Sequence, residues 1–243
     1  MPPQPKIAVV QVGLYYEKGG STMRFFQDLL NFLNENEGVD MVVFSENSLY
    51  GFKNDYNRAL TEQLLSDLKT HNLHQKHAFL LNMYGFKKIN NIITMYLFQD
   101  DEIVNQKTSL IPFIEKKGLF NSQQDLSSVY FSVDKNIRNK LINFKGNSVK
   151  TLVCYDALFP AFHHNENNIT IIQSDYNQLN KGAGYFKIKK YGSILSRFSN
   201  GINSKLFINI QNYGGTIVMN EDWDINMDLF EKSKEEPFFI VNQ

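Results

Sequence analysis

Short apolar runs alternate with segments of helical periodicity in the first third of the chain. Residues 6–12 (KIAVVQV) and 40–45 (DMVVFS) are rich in β-branched residues and lack polar alternation, which predicts strands buried on both faces. A helix is predicted from Ser21, a candidate N-cap, to about residue 34. Its predicted inward stripe is Met23, Phe26, Leu30 and Leu33. Because strands and helices alternate, the chain is expected to fold as a layered α/β protein.

The rest of the chain is denser in strands. The predicted strands are 78–83, 92–98, 102–106, 129–133, 150–154, 169–173, 205–210, 216–219 and 238–241. The predicted helices are 60–71, with Leu60, Leu64, Leu65 and Leu68 inward, and 185–199, with Ile188, Tyr191, Leu195 and Phe198 on one inward face. Residues 107–127 are expected to form a loop. This order favours mixed sheets over a purely parallel one. No Pro/Gly/Ser-rich linker divides residues 1–243, so a single domain is predicted.

The charge and hydropathy of the chain argue against two classes of partner. Lys plus Arg and Asp plus Glu number 25 each, so the formal net charge is zero, unlike the basic surface of a nucleic-acid-binding protein. No stretch approaches the roughly 18 apolar residues of a membrane-spanning helix. The N-terminus lacks the apolar core of a signal peptide. We therefore expect no membrane segment in this chain, and a cytoplasmic location if the sequence is full length.

The sequence contains one cysteine, Cys154. A lone cysteine is either a small buried residue or a reactive thiol. Cys154 ends a predicted strand, and Glu46 and Lys107 each directly follow one. Loops just past strand ends are where functional sites collect in layered α/β domains. The three residues are therefore candidates for one site, although each of them alone has an ordinary structural interpretation.

Three segments carry a resemblance to the nitrilase superfamily of carbon-nitrogen hydrolases. VVFSENSLYG (42–51) resembles the glutamate segment of that family, QKTSLIPFIE (106–115) its lysine segment, and VCYDALFP (153–160) its cysteine segment. The last two look most like the nitrilase-like domain of apolipoprotein N-acyltransferases. The resemblance implies an α-β-β-α sandwich of two mixed sheets flanked by helices. It also implies a catalytic triad of Glu46, Lys107 and Cys154, and a homodimer formed through helices near Cys154 and the C-terminal region.

The residue types of this implied triad suit acyl chemistry through a thioester. A thiolate rather than a thiol attacks an acyl carbon, and an ammonium such as Lys107 stabilises both the thiolate and the tetrahedral oxyanion. Glu46 takes the thiol proton, passes it to the leaving amine and then activates the second nucleophile. The expected substrate is a small-molecule amide or other acyl donor. No cofactor is expected, and no Cys/His spacing suggests a metal site.

Further site residues are implied by the same resemblance. Glu115 matches a second family glutamate that helps to orient the triad, and the alternative is a surface acid. Four residues are predicted to bind substrate: Tyr155 and Asp156, which follow the nucleophile, and Asp175 and Tyr176, which stand where the family has an Asn-Asp-aromatic step. His163 and His164 are interpreted as surface residues rather than partners of Cys154. Residues 181–184 (KGAG) are predicted to form a flexible loop near the site mouth.

Three functions remain open at this point. The leading hypothesis is a thiol amidase or acyl-transfer enzyme that acts on a carbon–nitrogen bond. The second is lipoprotein N-acyltransferase-like transfer to an amine by a domain whose membrane part is missing from this chain, with a periplasmic or membrane-attached location. The third is a catalytically degenerate nitrilase-like binding protein. It is motivated by Asn105, Asp156 and Tyr176, which replace an aromatic residue, a glutamate and a tryptophan that are common in the family.

Overall fold

The computed structural model describes residues 2–86, 89–112, 114–116, 130–161, 167–176 and 185–241. The strands are β1 (Ile7–Val10), β2 (Met41–Phe44), β3 (Ala78–Tyr84), β4 (Ile92–Phe98), β5 (Asp101–Gln106), β6 (Ile142–Phe144), β7 (Asn147–Val153), β8 (Ile169–Ser174), β9 (Leu206–Gln211), β10 (Ile217–Met219) and β11 (Phe238–Val241). The helices are α1 (Val12–Glu17), α2 (Thr22–Glu35), α3 (Asp55–Thr70), α4 (Leu73–Lys76), α5 (Tyr185–Asn200) and α6 (Met227–Ser233).

Within these described residues the strands form two sheets. The first has six strands in the order β11-β1-β2-β3-β4-β5, and the second has five in the order β10-β9-β8-β7-β6. Parallel pairs lie at the centre of each sheet, β1 with β2 and β2 with β3 in the first, and β7 with β8 and β8 with β9 in the second. Antiparallel strands complete both edges. Both sheets are therefore mixed, as the element order predicted.

The two faces of each central strand enter different apolar layers. In β1, Ile7 and Val9 pack against residues of the second sheet, while Ala8 and Val10 pack against α2 and α3. The outer face of the second sheet, with Ile172, packs against α5 and α6. A strand covered on both faces has no reason to alternate polar and apolar residues. The α-β-β-α arrangement of two mixed sheets flanked by helices is confirmed.

Helix α2 follows the predicted position with a shifted inward face. Ser21 occupies the N-cap, and Phe25, Leu29 and Leu33 form the buried row, flanked by Phe26 and Leu30. Met23 is 94% exposed, so its assignment to the inward stripe is wrong. The buried row has a spacing of four residues, and position 23 falls outside it.

Helix α5 turns three of its four predicted inward residues outwards, whereas Ile188 packs, partly buried, against the apolar cluster around Cys154. Tyr191, Leu195 and Phe198 are 60%, 59% and 64% exposed. The buried residues of this helix are mainly polar: Lys189, Ser193, Ser196, Arg197 and Asn200. Partners on the adjacent strands and turns satisfy much of this face. Arg197 donates to the carbonyls of Ser204, Asn220 and Glu221, and Asn200 donates to those of Ala157 and Phe159. Because backbone carbonyls accept these bonds, part of the cost of burying Arg197 and Asn200 is offset.

Several element boundaries also differ from the prediction. The described part of 129–133 is not a strand, because Phe131 and Ser132 hydrogen-bond to separate loops at Glu115 and Asn90. Strand β1 ends at Val10, and α1 begins two residues later. Helix α3 starts five residues earlier than predicted, since Asn54 caps it by accepting from the Asn57 N–H. Strand β6 was not predicted and pairs with β7 through the turn at Lys145 and Gly146, both with positive φ, as in a type I′ hairpin.

Helices α4 and α6 were not predicted either. Both are short, with four and seven residues, and Asn226 caps α6 by accepting a hydrogen bond from the Leu229 N–H. Short helices give too few apolar positions to establish a periodicity. In the portion of the chain that the structure describes, no helix combines the length and the apolar character needed to cross a membrane.

Candidate active site

The structure brings Glu46, Lys107 and Cys154 together at one end of the sandwich. Glu46 lies two residues past β2, Lys107 directly follows β5 and Cys154 directly follows β7. The Lys107 Nζ lies 3.9 Å from Glu46 Oε1, and the Cys154 thiol hydrogen-bonds to the Glu46 carboxylate. All three side chains are buried, with residue exposures of 5% for Glu46, 0% for Lys107 and 7% for Cys154.

Glu115 joins the same cluster from the loop that follows Lys107. Its Oε1 accepts a hydrogen bond from Lys107 Nζ at 2.6 Å, and its Oε2 accepts one from the backbone N–H of Ile111 at 2.8 Å. Glu115 is buried, so the alternative interpretation as a surface acid is wrong. The lysine ammonium therefore lies between two carboxylates, one of which also fixes the backbone of the loop.

Cys154 has an unusual backbone conformation. Its φ is 48°, in the left-handed region that residues other than Gly and Asn rarely adopt. The residue stands at the junction between the extended Val153 and a 3₁₀ turn at Cys154–Leu158. This abrupt change of direction at the end of β7 sets the position of the thiol, which also receives a hydrogen bond from the backbone of Asp175. The predicted strand end at 154 is thus one residue too long.

Burial and charge shift the titration of all three triad candidates. Burial raises the pKa of Glu46 to about 7, with Lys107 opposing the shift and Glu115 adding to it. Burial also raises the pKa of the Cys154 thiol well above its usual range, Glu46 raises it further and Lys107 opposes. For Lys107, burial alone would lower the pKa, but Glu46, Cys154 and Glu115 outweigh it and hold the pKa above its ordinary value. The resting site therefore holds a protonated thiol and an ammonium.

Asp156 turns into the protein rather than towards a ligand. Its Oδ1 accepts hydrogen bonds from the Thr108 hydroxyl at 2.8 Å and from the backbone N–H groups of Ser109 at 2.8 Å and Thr108 at 3.3 Å. These contacts join the turn after Cys154 to the loop after Lys107. The predicted role in substrate binding stays a prediction, and the contacts observed are those of a residue that holds the loop.

Asn105 makes a similar connection between the two sheets. Its Nδ2 donates to the Thr151 hydroxyl and to the Lys140 carbonyl, both at 2.9 Å. Asn105 precedes Lys107 by two positions on β5, and Thr151 precedes Cys154 by three on β7. The residue that departs from the family pattern in sequence therefore ties together the two strands that deliver the lysine and the cysteine.

The other predicted substrate-binding residues lie around Cys154. Tyr155 is half-buried, and its ring packs edge-on against Phe159 with centroids 5.1 Å apart. Tyr176 is buried beside Cys154, and Asp175 Oδ2 accepts a hydrogen bond from Asn212 Nδ2 at 3.2 Å. The structure thus brings all four predicted residues to the neighbourhood of the thiol. His163, His164 and the predicted loop 181–184 lie outside the described residues.

Sequence reasoning missed Tyr84, which ends β3 beside β2. Its hydroxyl donates to Glu46 Oε1 at 3.5 Å, and its ring packs edge-on against Phe131. Tyr84 also lines a cleft of about 250 Å³ together with Ser48, Lys53 and Asn57. Only the order of strands in the sheet reveals this contact, because nothing in the sequence pairs residue 84 with residue 46. Among the described residues, no group of His, Cys, Asp and Glu side chains is placed to hold a metal ion.

This architecture matches solved structures of nitrilase-superfamily proteins. Saccharomyces cerevisiae Nit3, a member of branch 10 of that superfamily, aligns with a TM-score of 0.57 at 16% identity, over 91% of this chain and 84% of Nit3. A carbon-nitrogen hydrolase from Helicobacter pylori G27 aligns with a TM-score of 0.59 at 14% identity, over 91% of this chain and 83% of that enzyme. The chain has the nitrilase-superfamily fold.

The assignment of the nitrilase-superfamily fold rests on structural similarity alone. No protein-family model matches the chain, and no curated protein matches it. A third structure with the same fold is the glutamine-dependent NAD+ synthetase from Acinetobacter baumannii, with a TM-score of 0.60 at 14% identity. That alignment covers 97% of this chain and 44% of the synthetase, so the chain spans less than half of that protein's length.

Proposed function

We propose that this chain is a thiol enzyme that cleaves an amide-type carbon–nitrogen bond through a thioester on Cys154. The observation that carries the proposal is the convergence of Glu46, Lys107, Glu115 and Cys154 in one buried cluster. A carboxylate in contact with a thiol supplies a base, and an ammonium beside them supplies a positive charge for a developing oxyanion. We extend the proposal to residues 1–243 acting as one nitrilase-like unit.

The first half-reaction forms the thioester. Glu46 accepts the thiol proton while Cys154 Sγ attacks the substrate carbonyl carbon, and the carbonyl oxygen becomes an oxyanion that faces the Lys107 ammonium. The tetrahedral intermediate then collapses. The carbon–nitrogen bond breaks, and the leaving amine takes the proton that Glu46 holds. In the second half-reaction Glu46 accepts a proton from water, and the hydroxide attacks the thioester. The thiolate leaves and recovers that proton.

The raised thiol pKa determines when the proton moves. Burial and the neighbouring carboxylates disfavour a free thiolate, so a stable thiolate does not form before substrate binds. Proton transfer to Glu46 is instead coupled to attack on the carbonyl. Glu46 is suited to this role because its pKa, raised to about 7, allows it to gain and lose a proton near neutral pH.

Glu115 is proposed to orient the lysine. Its carboxylate holds the ammonium at 2.6 Å, closer than the 3.9 Å from the same nitrogen to Glu46. The lysine is therefore anchored on the side of Glu115 while Glu46 stays available to exchange a proton with the thiol. The bond from the Ile111 N–H to the other Glu115 oxygen fixes the carboxylate itself.

An intact thiol site is favoured over the degenerate-binder alternative. The degenerate-binder hypothesis is motivated by Asn105, Asp156 and Tyr176, of which Asn105 and Asp156 make buried contacts that join the strands and loops of the triad. Contacts of this kind support an intact site. Acyl transfer to an amine shares the same first half-reaction, so it differs only in the nucleophile that resolves the thioester.

The test is acylation of Cys154 by an activated ester such as p-nitrophenyl acetate. Intact-mass measurement after an acid quench is expected to give one acetyl adduct in the wild type and none in Cys154→Ala. Lys107→Met is expected to slow the acetylation, whereas Lys150→Met, which removes another fully buried lysine, leaves it close to wild type. Decay of the adduct in water indicates a hydrolase, and decay only on addition of an amine indicates an acyltransferase. Absence of an adduct with esters, thioesters and amides alike would refute the proposal.

A homodimer through α5 is also proposed. The exposed apolar stripe on α5 is defined as Tyr191, Leu195 and Phe198. The helix that carries it packs against the 3₁₀ turn that begins with Cys154, and Phe159 at the end of that turn is also exposed. Three large apolar side chains exposed in a row on one helix are unusual for a monomer surface. A second copy of the chain packed on this stripe would cover them.

A further inference from the structure

The turn between β9 and β10 lies directly behind the candidate site. Asn212 begins this turn, and its backbone N–H donates to the Ser174 carbonyl at 2.9 Å, next to Asp175. The side chain of Asn212 is buried, and its hydrogen bonds go to Gly13, Ser45 and Asp175 rather than to Glu46, Lys107 or Cys154. Its position is nevertheless central, because the residues it contacts are neighbours of those groups.

Three hydrogen bonds fix the Asn212 side chain. Its Oδ1 accepts from the Gly13 N–H at 2.7 Å and from the Ser45 hydroxyl at 2.8 Å, while its Nδ2 donates to Asp175 Oδ2 at 3.2 Å. The Ser45 hydroxyl itself accepts from the Val12 N–H at 3.0 Å, so its proton is free to point at Asn212. This network assigns the amide orientation, with oxygen towards Ser45 and nitrogen towards the carboxylate.

The two ends of this side chain lead to the two reacting groups. On one side Ser45 immediately precedes Glu46 in the chain. On the other side Asp175 donates a backbone hydrogen bond to the Cys154 thiol, and its carboxylate acts electrostatically on Glu46. We propose that Asn212 is a positioning residue that sets the separation of the Glu46 carboxylate and the Cys154 thiol without touching either. The inference rests on the proposed thioester chemistry, because it assigns Asn212 a role in that reaction.

A buried lysine holds the same turn in place. Lys189 on α5 donates from Nζ to the carbonyl of Gly214, two residues past Asn212. Gly214 has a φ of 92°, and a Cβ there would meet the Ser233 carbonyl oxygen at 3.0 Å, so the turn is tightly enclosed. The charged groups that face Lys189 are Asp175, which attracts its ammonium, and Lys234, which repels it. The turn that carries Asn212 is thus held by Lys189 and enclosed by the backbone at Ser233.

Two substitutions separate positioning from simple packing. Asn212→Asp keeps the shape and the Oδ1 acceptor for Gly13 and Ser45, loses the donor to Asp175 and brings a second carboxylate next to it. Asn212→Ala loses all three bonds. A merely structural role in fastening Gly13 and Ser45 is largely preserved in Asn212→Asp, whereas positioning through Asp175 is not. Asn167→Ala is the matched control, because Asn167 is an equally buried amide that bonds to Thr170 and Ser204, at the start of β8 rather than at its end.

The experiment measures the rate of Cys154 alkylation by iodoacetamide across pH in the folded proteins, with thermal unfolding recorded in parallel. Both Asn212 variants are expected to lower the alkylation rate by about threefold to tenfold, the loss of one positioning hydrogen bond, and to move its pH midpoint upwards. The upward move follows because Asp175 loses the hydrogen bond from Asn212, so that its negative charge, which raises the pKa of Glu46, acts more strongly on the site. Asn167→Ala is expected to change stability alone.

The outcomes distinguish this inference from the proposed function. A reactive wild-type thiol with an unchanged rate and pH midpoint in Asn212→Asp overturns the positioning role and leaves the thioester proposal standing. A wild-type thiol that is inert to iodoacetamide and to acyl donors overturns the proposed function and the positioning role together. A slower reaction and a higher midpoint in both Asn212→Asp and Asn212→Ala, the second of which adds no charge, with no such change in Asn167→Ala, supports the inference.

Discussion

The Asp156 carboxylate accepts a hydrogen bond from the backbone N–H of Ser109 at 2.8 Å. A residue two positions past the candidate nucleophile thereby holds the loop that begins with the candidate lysine. Because the carboxylate is buried, burial raises its pKa, and the hydrogen bonds from Thr108 and Ser109 oppose that rise. The lysine and the cysteine, which come from different sheets, are therefore kept in register by a contact between their own flanking segments.

We expect Asp156→Ala to lower the rate of Cys154 acetylation by about tenfold to a hundredfold, since small displacements of reacting groups have effects of this size. Stability is expected to fall as well, by about 1–3 kcal/mol, because the N–H groups of Thr108 and Ser109 lose their acceptor. Asp40→Ala is the control, as Asp40 accepts a bond from the Lys6 N–H just before β2, away from the site. Equal acetylation rates in the two variants would argue against this role.

The raised pKa of Glu46 predicts the pH dependence of acylation. Only the ionised carboxylate accepts the thiol proton, so the acetylation rate is expected to rise with pH through a midpoint near 7. Glu115→Gln removes a negative charge that raises this pKa, so its midpoint is expected to lie at lower pH. Glu102→Gln, an exposed change on β5, is expected to leave the midpoint in place. A midpoint near the ordinary glutamate value in the wild type would contradict the assignment of Glu46 as base.

Lys189 predicts a separate effect on stability. Burial lowers its pKa from 10.5 to about 7, with Asp175 opposing and Lys234 adding to the shift. Between these values the unfolded chain holds a proton that the folded chain has released, so the free energy of unfolding rises with pH from about 7 to 10.5. Urea unfolding at several pH values is expected to show this rise in the wild type and in Lys187→Met. In Lys189→Met the rise is expected to be smaller, and an equal slope in all three would contradict the burial of a neutral lysine.

The α5 stripe predicts the oligomeric state. Leu195→Glu combined with Phe198→Glu places two charges in the centre of the exposed stripe and is expected to convert a dimer to a monomer. Size-exclusion chromatography with light scattering measures this directly. Met23→Glu, on another helix at 94% exposure, is the control for an added charge at an exposed apolar position. A monomeric wild type would refute the dimer proposal without affecting the catalytic one.

Periodicity predicted the layers of this fold because its central strands and its N-terminal helices bury apolar side chains. In β1 and β2 every residue is buried, and a continuous apolar run has no other stable place in a layered protein. The prediction that α5 buries an apolar face was largely wrong, because polar residues on its buried face donate hydrogen bonds to backbone carbonyls, as Arg197 does to that of Ser204. Those carbonyls belong to turns whose proximity to α5 depends on the finished fold, so sequence alone does not reveal them.

In the candidate site too, some residues could be predicted from the sequence and others are revealed only by the folded structure. Glu46, Lys107 and Cys154 could be proposed from sequence because each stands at the end of an apolar run within a recognisable segment. Tyr84 and Asn212 could not, because their contacts with Glu46 and Asp175 follow from which strands lie side by side. Asn105 departs from the family pattern in sequence, and its hydrogen bond to Thr151 joins the two sheets, a contact that also depends on the folded structure.

The left-handed backbone of Cys154 sets the stability of the fold against the proposed role of its thiol. A side chain in that region of φ costs roughly 1–2 kcal/mol relative to the right-handed alternative, and glycine would relieve the cost. Selection for stability alone would therefore replace the thiol, whereas selection for a nucleophile beside Glu46 retains it. The residue found at position 154 in related chains therefore distinguishes selection for stability, which favours glycine, from selection for a nucleophile, which favours cysteine.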